Sequence, residues 1–243
     1  MTSQEGSIAA PKQGGLFEDL IEVLYAPGKV FDRTRATKAF KYVLVTSLIA
    51  LVVAVATKNL LMPWLDAQAD LSIKMAAAKG QPIPDQAAAS MRAFTAWGII
   101  IGAPLAMFIG PYLNAFFLLI GGKLMNARMT YAQAATIAVL GGVPRLLAWL
   151  AMPVQAIISD GANARSIADL SLGPARFVNP ETLSPTLLTL LGNLDLFRLW
   201  QIVLTTIGVA VVARVSKGTA LVVVIIMVGV GAMLQLIPSA LFG

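Results

Sequence analysis

Residues 93–122 read AFTAWGIIIGAPLAMFIGPYLNAFFLLIGG, thirty residues without a charge. At about 1.5 Å of rise per residue, a helix of this length overshoots the ~30 Å hydrocarbon core of a bilayer. Such a stretch reads as a membrane span, with tilt or bending at Pro104 and Pro111 absorbing the excess. Four more apolar stretches lie on either side of it. Tyr42–Leu65 precedes it, interrupted only by Lys58 near its far end, where an ammonium can snorkel to the headgroups. Met129–Ser159 follows, uncharged except for Arg145. Leu196–Ala213 has Arg198 near its start, and Thr219–Gly243 has no charge. Of the 243 residues 58% are hydrophobic and 12% charged, with mean hydropathy +0.79; a soluble domain carries about 25% charged residues. The sequence predicts an all-α polytopic integral membrane protein. Five transmembrane helices (42–65, 93–122, 129–159, 196–213 and 219–243) form a compact bundle over 42–243, behind an N-terminal tail of residues 1–41.

Orientation follows from the basic residues. With the N-terminus in the cytoplasm, the inner side holds Lys12, Lys29, Arg33, Arg35, Lys38, Lys41, Lys123, Arg128, Arg214 and Lys217, against seven basic residues on the outer side. The inner connections are short and net positive, as the positive-inside rule requires. Trp64, Trp97, Trp149 and Trp200 then fall towards outer ends of spans, and Tyr42 and Tyr131 at inner ends, which predicts two aromatic belts. The net charge of +6 is dispersed between apolar runs, a pattern of membrane orientation rather than of nucleic-acid binding.

The tail has no long apolar run before Tyr42, too late for a signal peptide, so the reading keeps it in the mature chain. Met1 to Gly15 is rich in Gly, Ser and Gln and reads as disordered. Residues 16–24, LFEDLIEVL, place Leu16, Phe17, Leu20, Ile21 and Leu24 on one helical face and Glu18, Asp19 and Glu22 on the other. That helix either lies in the inner leaflet's interface or packs on the protein's own spans. On the outer side, Asp66–Arg92 is a loop with a helical patch up to Lys79 and a turn at Gly80–Pro84, after which Asp85 caps the second span. Asn179-Pro180 and Ser184-Pro185 read as helix starts, and Lys217-Gly218 as a tight turn between the last two spans.

Small residues at every fourth position suggest close helix packing. The stripe Gly98, Gly102, Ala106 and Gly110 on the second span is expected to lie against another helix, within the chain or in a second copy; Thr46, Ala50 and Ala54, and Ala134, Ala138 and Gly142, form similar stripes. Arg145 is the one charge near mid-span, at a cost of ~2.5–3.5 kcal/mol on insertion scales. Pro144 before it leaves the Leu140 carbonyl without its helical bond, and the arginine is expected to satisfy such carbonyls or the amide of Asn114. No carboxylate falls within a predicted span to pair with it. Arg145, Asn114 and Pro144 thus form a candidate intramembrane polar site, read either as an anion or headgroup site or as the repair of a helix break.

The chain has no His and no Cys. Serine–histidine catalysis, thiolate nucleophiles and imidazole or thiolate metal sites are excluded. No pair of intramembrane Asp and no phosphate-binding Gly-rich loop is present. The sequence assigns no catalytic, cofactor-binding or metal-binding residue.

Three stretches together carry a resemblance. LFEDLIEVLYAPGKVF before the first span, TYAQAATIAVLGGVPRLL in the third, and LFRLWQIVLTTIGVAVVARVSKGTA across the fourth resemble, in this order and spacing, the Yip-one family of Ypt/Rab-GTPase-interacting membrane proteins, over about Leu16 to Leu241. The resemblance implies five spans, a cytoplasmic N-terminus and no enzymatic activity. Eukaryotic members serve vesicle traffic and carry an Asp-Leu-Tyr-Gly-Pro element; here only Leu24-Tyr25-Ala26-Pro27 is similar to it, without the Asp or Gly and farther from the membrane. The Ala-, Gly- and Leu-rich composition fits a bacterial chain, which would sit in the cytoplasmic (inner) membrane.

The first functional reading is a non-enzymatic membrane scaffold or membrane-organising protein, in contact with lipids and with protein partners or further copies through small-residue helix faces. The second is a small permease or channel subunit for an anion or lipid headgroup, built on Arg145. The third is an accessory subunit of a larger complex. The scarcity of polar residues in the spans (Asn114, Arg145, Gln201, Gln235) favours the first.

Overall fold

The computed structural model describes residues 14–241. Of the disordered start expected for Met1 to Gly15, residues 1–13, Lys12 among them, lie outside the described residues, as do the last two residues of the fifth predicted span.

Among the described residues the chain forms nine α-helices, four short 3-10 turns and no strand. Two short helices open it: α1 (Leu16–Glu22) and α2 (Pro27–Arg33). The spans are α3 (Phe40–Ala78), α4 (Asp85–Leu124), α5 (Tyr131–Gly141) continued by α6 (Val143–Ile158), α8 (Leu196–Ala213) and α9 (Lys217–Leu241), with α7 (Pro185–Gly192) in the long connection before α8. Five helical stretches are long and apolar enough to cross a membrane, as the sequence predicts.

The first two spans depart from their expected ends. At 39 and 40 residues, α3 and α4 are each about 60 Å long, twice the hydrocarbon thickness. The segment Asp66–Arg92, expected as a loop with a helical patch up to Lys79 and a turn at Gly80–Pro84, is an antiparallel helical hairpin that extends beyond the bilayer, with the patch and the turn at their expected places. Arg92 pairs there with Asp70 across the hairpin at 2.8 Å, and Lys74 with Glu181 of the connection before α7 at 2.6 Å. At its tip Gly80 takes φ +75°. Its N–H bonds the Ala77 carbonyl and that of Gln81 the Ala76 carbonyl, the pairing that closes a helix through a left-handed glycine. Asp85 is not a cap: Pro84 holds that position and Asp85 begins the helix.

The third span breaks at Gly142, between α5 and α6, where the N–H of Arg145 reaches back only three residues to the Gly142 carbonyl at 2.8 Å. α5 is the axis of the fold: Ala134 to Gly141 are all buried. A helix apolar all round can sit inside a bundle, and its alanines keep it thin. Around it Val43, Leu118, Val209, Val223, Val224 and Met227 complete a packed core in the half of the bundle nearest α1 and α2. A smaller second core, with Leu61, Trp64, Leu65, Ala156 and Leu170, lies at the other end. Trp64 is 3% exposed and belongs to that core rather than to an aromatic belt, whereas Trp97 is exposed beneath the Lys58 ammonium, 5.0 Å from its ring.

The expected Gly98 stripe takes no part in this packing. A Cβ built on Gly98, Gly102 or Gly110 meets no heavy atom within 4 Å, and Ala106 is exposed. α4 turns Ala88, Ala96, Ala103, Ala115 and Leu118 inward instead, so the glycines line the outside of this chain's bundle. The close approaches are made elsewhere: a Cβ on Gly141 would lie 2.5 Å from Thr205 Oγ1, one on Gly208 2.9 Å from both Ile137 and Phe31, and one on Gly121 3.0 Å from the Val223 carbonyl. The stripes of α3 (Thr46, Ala50, Ala54) and α5 (Ala134, Ala138) are buried as expected.

Asn179 caps the 3-10 turn Pro180–Thr182 and Ser184 caps α7, each with Pro at the first helical position, as their sequences predict. The last turn lies one step earlier than expected. Arg214 adopts φ +55°, Ser216 accepts the Thr219 N–H at 3.1 Å, and Lys217 is already helical.

Candidate functional site

Two assemblies of polar groups sit at opposite ends of the bundle. The first joins the N-terminal segment to the spans. Asp19 is 3% exposed, not on a solvent face. Its Oδ1 accepts from Arg33 Nε at 2.7 Å and Nη2 at 2.5 Å, and its Oδ2 accepts from the Tyr42 hydroxyl; Arg33 Nη1 also pairs with Glu22. Burial alone would lower the Arg33 pKa, but its hydrogen bonds and charge pairing with Asp19 and Glu22 outweigh this and raise it. The guanidinium therefore stays charged throughout the accessible pH range.

α1 packs by one edge of its expected face, with Leu16, Leu20 and Leu24 against the core as expected and the face turned so that Asp19 is buried too. Leu20 and Val23 enter the core while Phe17, Ile21 and Tyr25 are exposed at 65, 62 and 74%. Leu16, Leu20, Val23 and Leu24 form one edge of the apolar face and Phe17 and Ile21 the other, and either edge follows helical spacing. Periodicity could not choose between them; the partners on α2 and α3 do. α2 sends Val30 and Phe31 wholly into the core, Phe31 against Gly208. Arg35 donates to the Val211 carbonyl at 2.7 Å, one of those left free at the end of α8, and Thr136 donates to the Thr37 carbonyl at 2.9 Å.

The second assembly surrounds Arg145. The expected partners, the carbonyls near Pro144 and Asn114, are not the ones it takes. Arg145 Nη1 pairs with Asp195 Oδ2 at 2.9 Å. Asp195 is the N-cap of α8, accepting the Arg198 N–H on Oδ1 at 2.8 Å. α8 is only 18 residues, about 27 Å, so its capping carboxylate lies low enough for an arginine of the third span to reach. The helix N-terminus favours the anion as well. A cap preceding LFRLW was the signal that could have revealed the pair. Arg198 Nη1 donates to Gln201 at 2.9 Å, and Gln235 accepts from Asn193 at 2.9 Å. Of the predicted trio, Pro144 is buried beside Arg145 in the break, while Asn114 is half-buried on α4 and is not in this cluster.

Arg145 and Asp195 stand in the wall of a cavity of about 470 Å³ between α3, α4, α6 and α8, roofed by the connection before α8. Its surface is mainly apolar, with Leu65, Trp149, Met152, Leu170 and Phe197. Gly98, at the end of the stripe, also borders it. Among the described residues no group of His, Cys, Asp or Glu has the spacing of a metal site.

The family model described as Yip1 domain matches residues 21–237. No curated protein and no solved structure matches the chain. The match runs from the end of α1 into α9; it includes Arg145 and Asp195 of the second assembly, and Glu22, Arg33 and Tyr42 but not Asp19 of the first.

Proposed function

The chain belongs to the Yip1 domain family, and from that premise we propose that it is a non-catalytic membrane scaffold whose N-terminal segment forms a rigid cap at the cytoplasmic face of the bundle. The observation that carries this reading is the packing of the half of the bundle nearest the cap. Ala134–Gly141 of α5 are buried among apolar side chains, and that filling separates the polar groups around Arg145 from the capped end. A permease needs a polar route through this region; a scaffold needs the rigidity it gives. The buried Asp19–Arg33–Tyr42 cluster holds α1 so that Phe17, Ile21 and Tyr25 face outward beside the start of the first span. Lys29, Lys38 and Lys41 of the same segment are exposed, and by sequence the positive-inside assignment gives this side ten of the chain's 18 basic residues. Such a surface suits the inner leaflet or a protein lying on it.

Reconstitution tests the reading. Vesicles containing the purified protein should leak chloride and phosphate no faster than protein-free vesicles. Photo-crosslinkers at Phe17 and Ile21 should capture lipid or a discrete protein partner in intact cells. Anion flux that stops in Arg145→Gln would replace the scaffold with a transporter.

A further inference from the structure

We propose that the cavity beside Arg145 is a binding site for an anionic amphiphile: a molecule with one negatively charged head and an apolar chain, such as a fatty acid or an anionic phospholipid. This goes beyond the scaffold reading and does not depend on the cap. Three observations point to it. The volume, about 470 Å³, lies in the range of ligand pockets. Its wall is largely apolar, with Leu65, Trp149, Met152, Leu170, Leu172 and Phe197, a lining suited to a hydrocarbon chain rather than to a hydrated ion.

The polar groups in the wall carry the third observation. Arg145 spends only Nη1 on Asp195, and its side chain remains 39% exposed with its other guanidinium donors free to meet a ligand. Ser171 Oγ, also in the wall, is buried without a hydrogen-bond partner. Both Asp195 oxygens already accept, from Arg145 and from the Arg198 N–H. The wall's own pair, Arg145 and Asp195, is balanced, and Arg198, outside the wall in the first turn that Asp195 caps, adds positive charge behind it; unspent N–H and O–H donors in an apolar cavity call for an acceptor that bears negative charge. The head is placed at the free edge of Arg145 and at Ser171, and the chain along Trp149 and Met152.

Trp149 supplies the readout. Detergent-solubilised full-length protein is titrated with dibromostearate and, separately, with a neutral monoacylglycerol carrying the same brominated chain. The expected result is saturable quenching that disappears in Trp149→Phe, with the anion binding about tenfold more tightly than the neutral compound. Arg145→Gln should remove that preference. Because it strands Asp195 and can fail to fold, Ser171→Ala, expected to weaken the anion alone, and Ala148→Phe, which fills the cavity without touching the ion pair and should abolish quenching by both, stand beside it. Native mass spectrometry of protein extracted in mild detergent then separates a retained fatty acid from a retained anionic phospholipid. Quenching that does not saturate, equal affinity for anion and neutral compound, an unaffected Ala148→Phe variant, or a retained lipid that is wholly neutral would each overturn the proposal.

Discussion

Asp19 is a carboxylate buried where periodicity put a solvent face, and it is held there by two donors from other elements. Removing one partner of a buried pair strands the other, which typically costs about 3 kcal/mol or more. Asp19→Ala should therefore lower the melting temperature of the solubilised protein and open residues 14–38 to protease, while α3 to α9 stay resistant. Equal protease resistance in mutant and wild type would show that the apolar contacts of Phe31 hold the segment without the ion pair. Arg145 gives the complementary case. Its position in the membrane was evident from sequence, and its need for a partner followed from the cost of burying a charge. The partner itself was hidden because Asp195 lies one residue before the predicted fourth span. Only the shortness of α8 brings that carboxylate down to the arginine. Arg145→Gln combined with Asp195→Asn, which removes both charges and keeps polar side chains, should recover most of the stability lost by Arg145→Gln alone, as a thermal-melt double-mutant cycle can measure.

Among the elements, the glycines separate what pattern reveals from what it cannot. A small residue every fourth position says that a face can approach another backbone, not that it does. Gly98, Gly102 and Gly110 have that pattern and face outward; Gly141 and Gly208, without comparable stripes, sit where α5, α8 and Phe31 meet. Gly208→Leu should destabilise the protein by about 2 kcal/mol or more, because neighbouring side chains and backbone must move. Gly102→Leu should leave the melting temperature of the monomer unchanged. A stability loss in Gly102→Leu that grows with protein concentration would instead reveal contact between copies along this face. Span number and approximate span positions were legible because apolar length is a strong signal. The helical patch to Lys79 and the turn at Gly80–Pro84 were legible too; that both helices run unbroken from the spans was not, because the polar residues of Asp66–Arg92 read as loop and the Arg92–Asp70 pair across the hairpin is invisible in a linear sequence.

For the whole molecule, alternation of the spans puts the α3–α4 tip and the α4–α5 turn on opposite sides of the bilayer. The natural chain has no cysteine, so each introduced thiol is unique. A membrane-impermeant maleimide applied to intact cells should label Gln81→Cys and spare Lys123→Cys until the membrane is opened. Labelling of both without opening would remove the five-span arrangement, and labelling of Lys123→Cys alone would invert it.

The seat of Phe31 and Arg35 on α8 also fixes an order of assembly. Arg35 bonds a carbonyl 176 residues further along the chain. At about 5–20 residues per second of synthesis, its receptor emerges roughly ten to thirty-five seconds later. A segment made before every span is thus among the last to find its place, and its docking requires that the fourth span has been inserted in the correct direction. Until then Phe17, Ile21 and Phe31 are a greasy leader with nowhere to go but the nearby lipid surface. A chain stalled before residue 211 would carry that leader undocked, a mark by which quality control could tell an unfinished protein from a finished one.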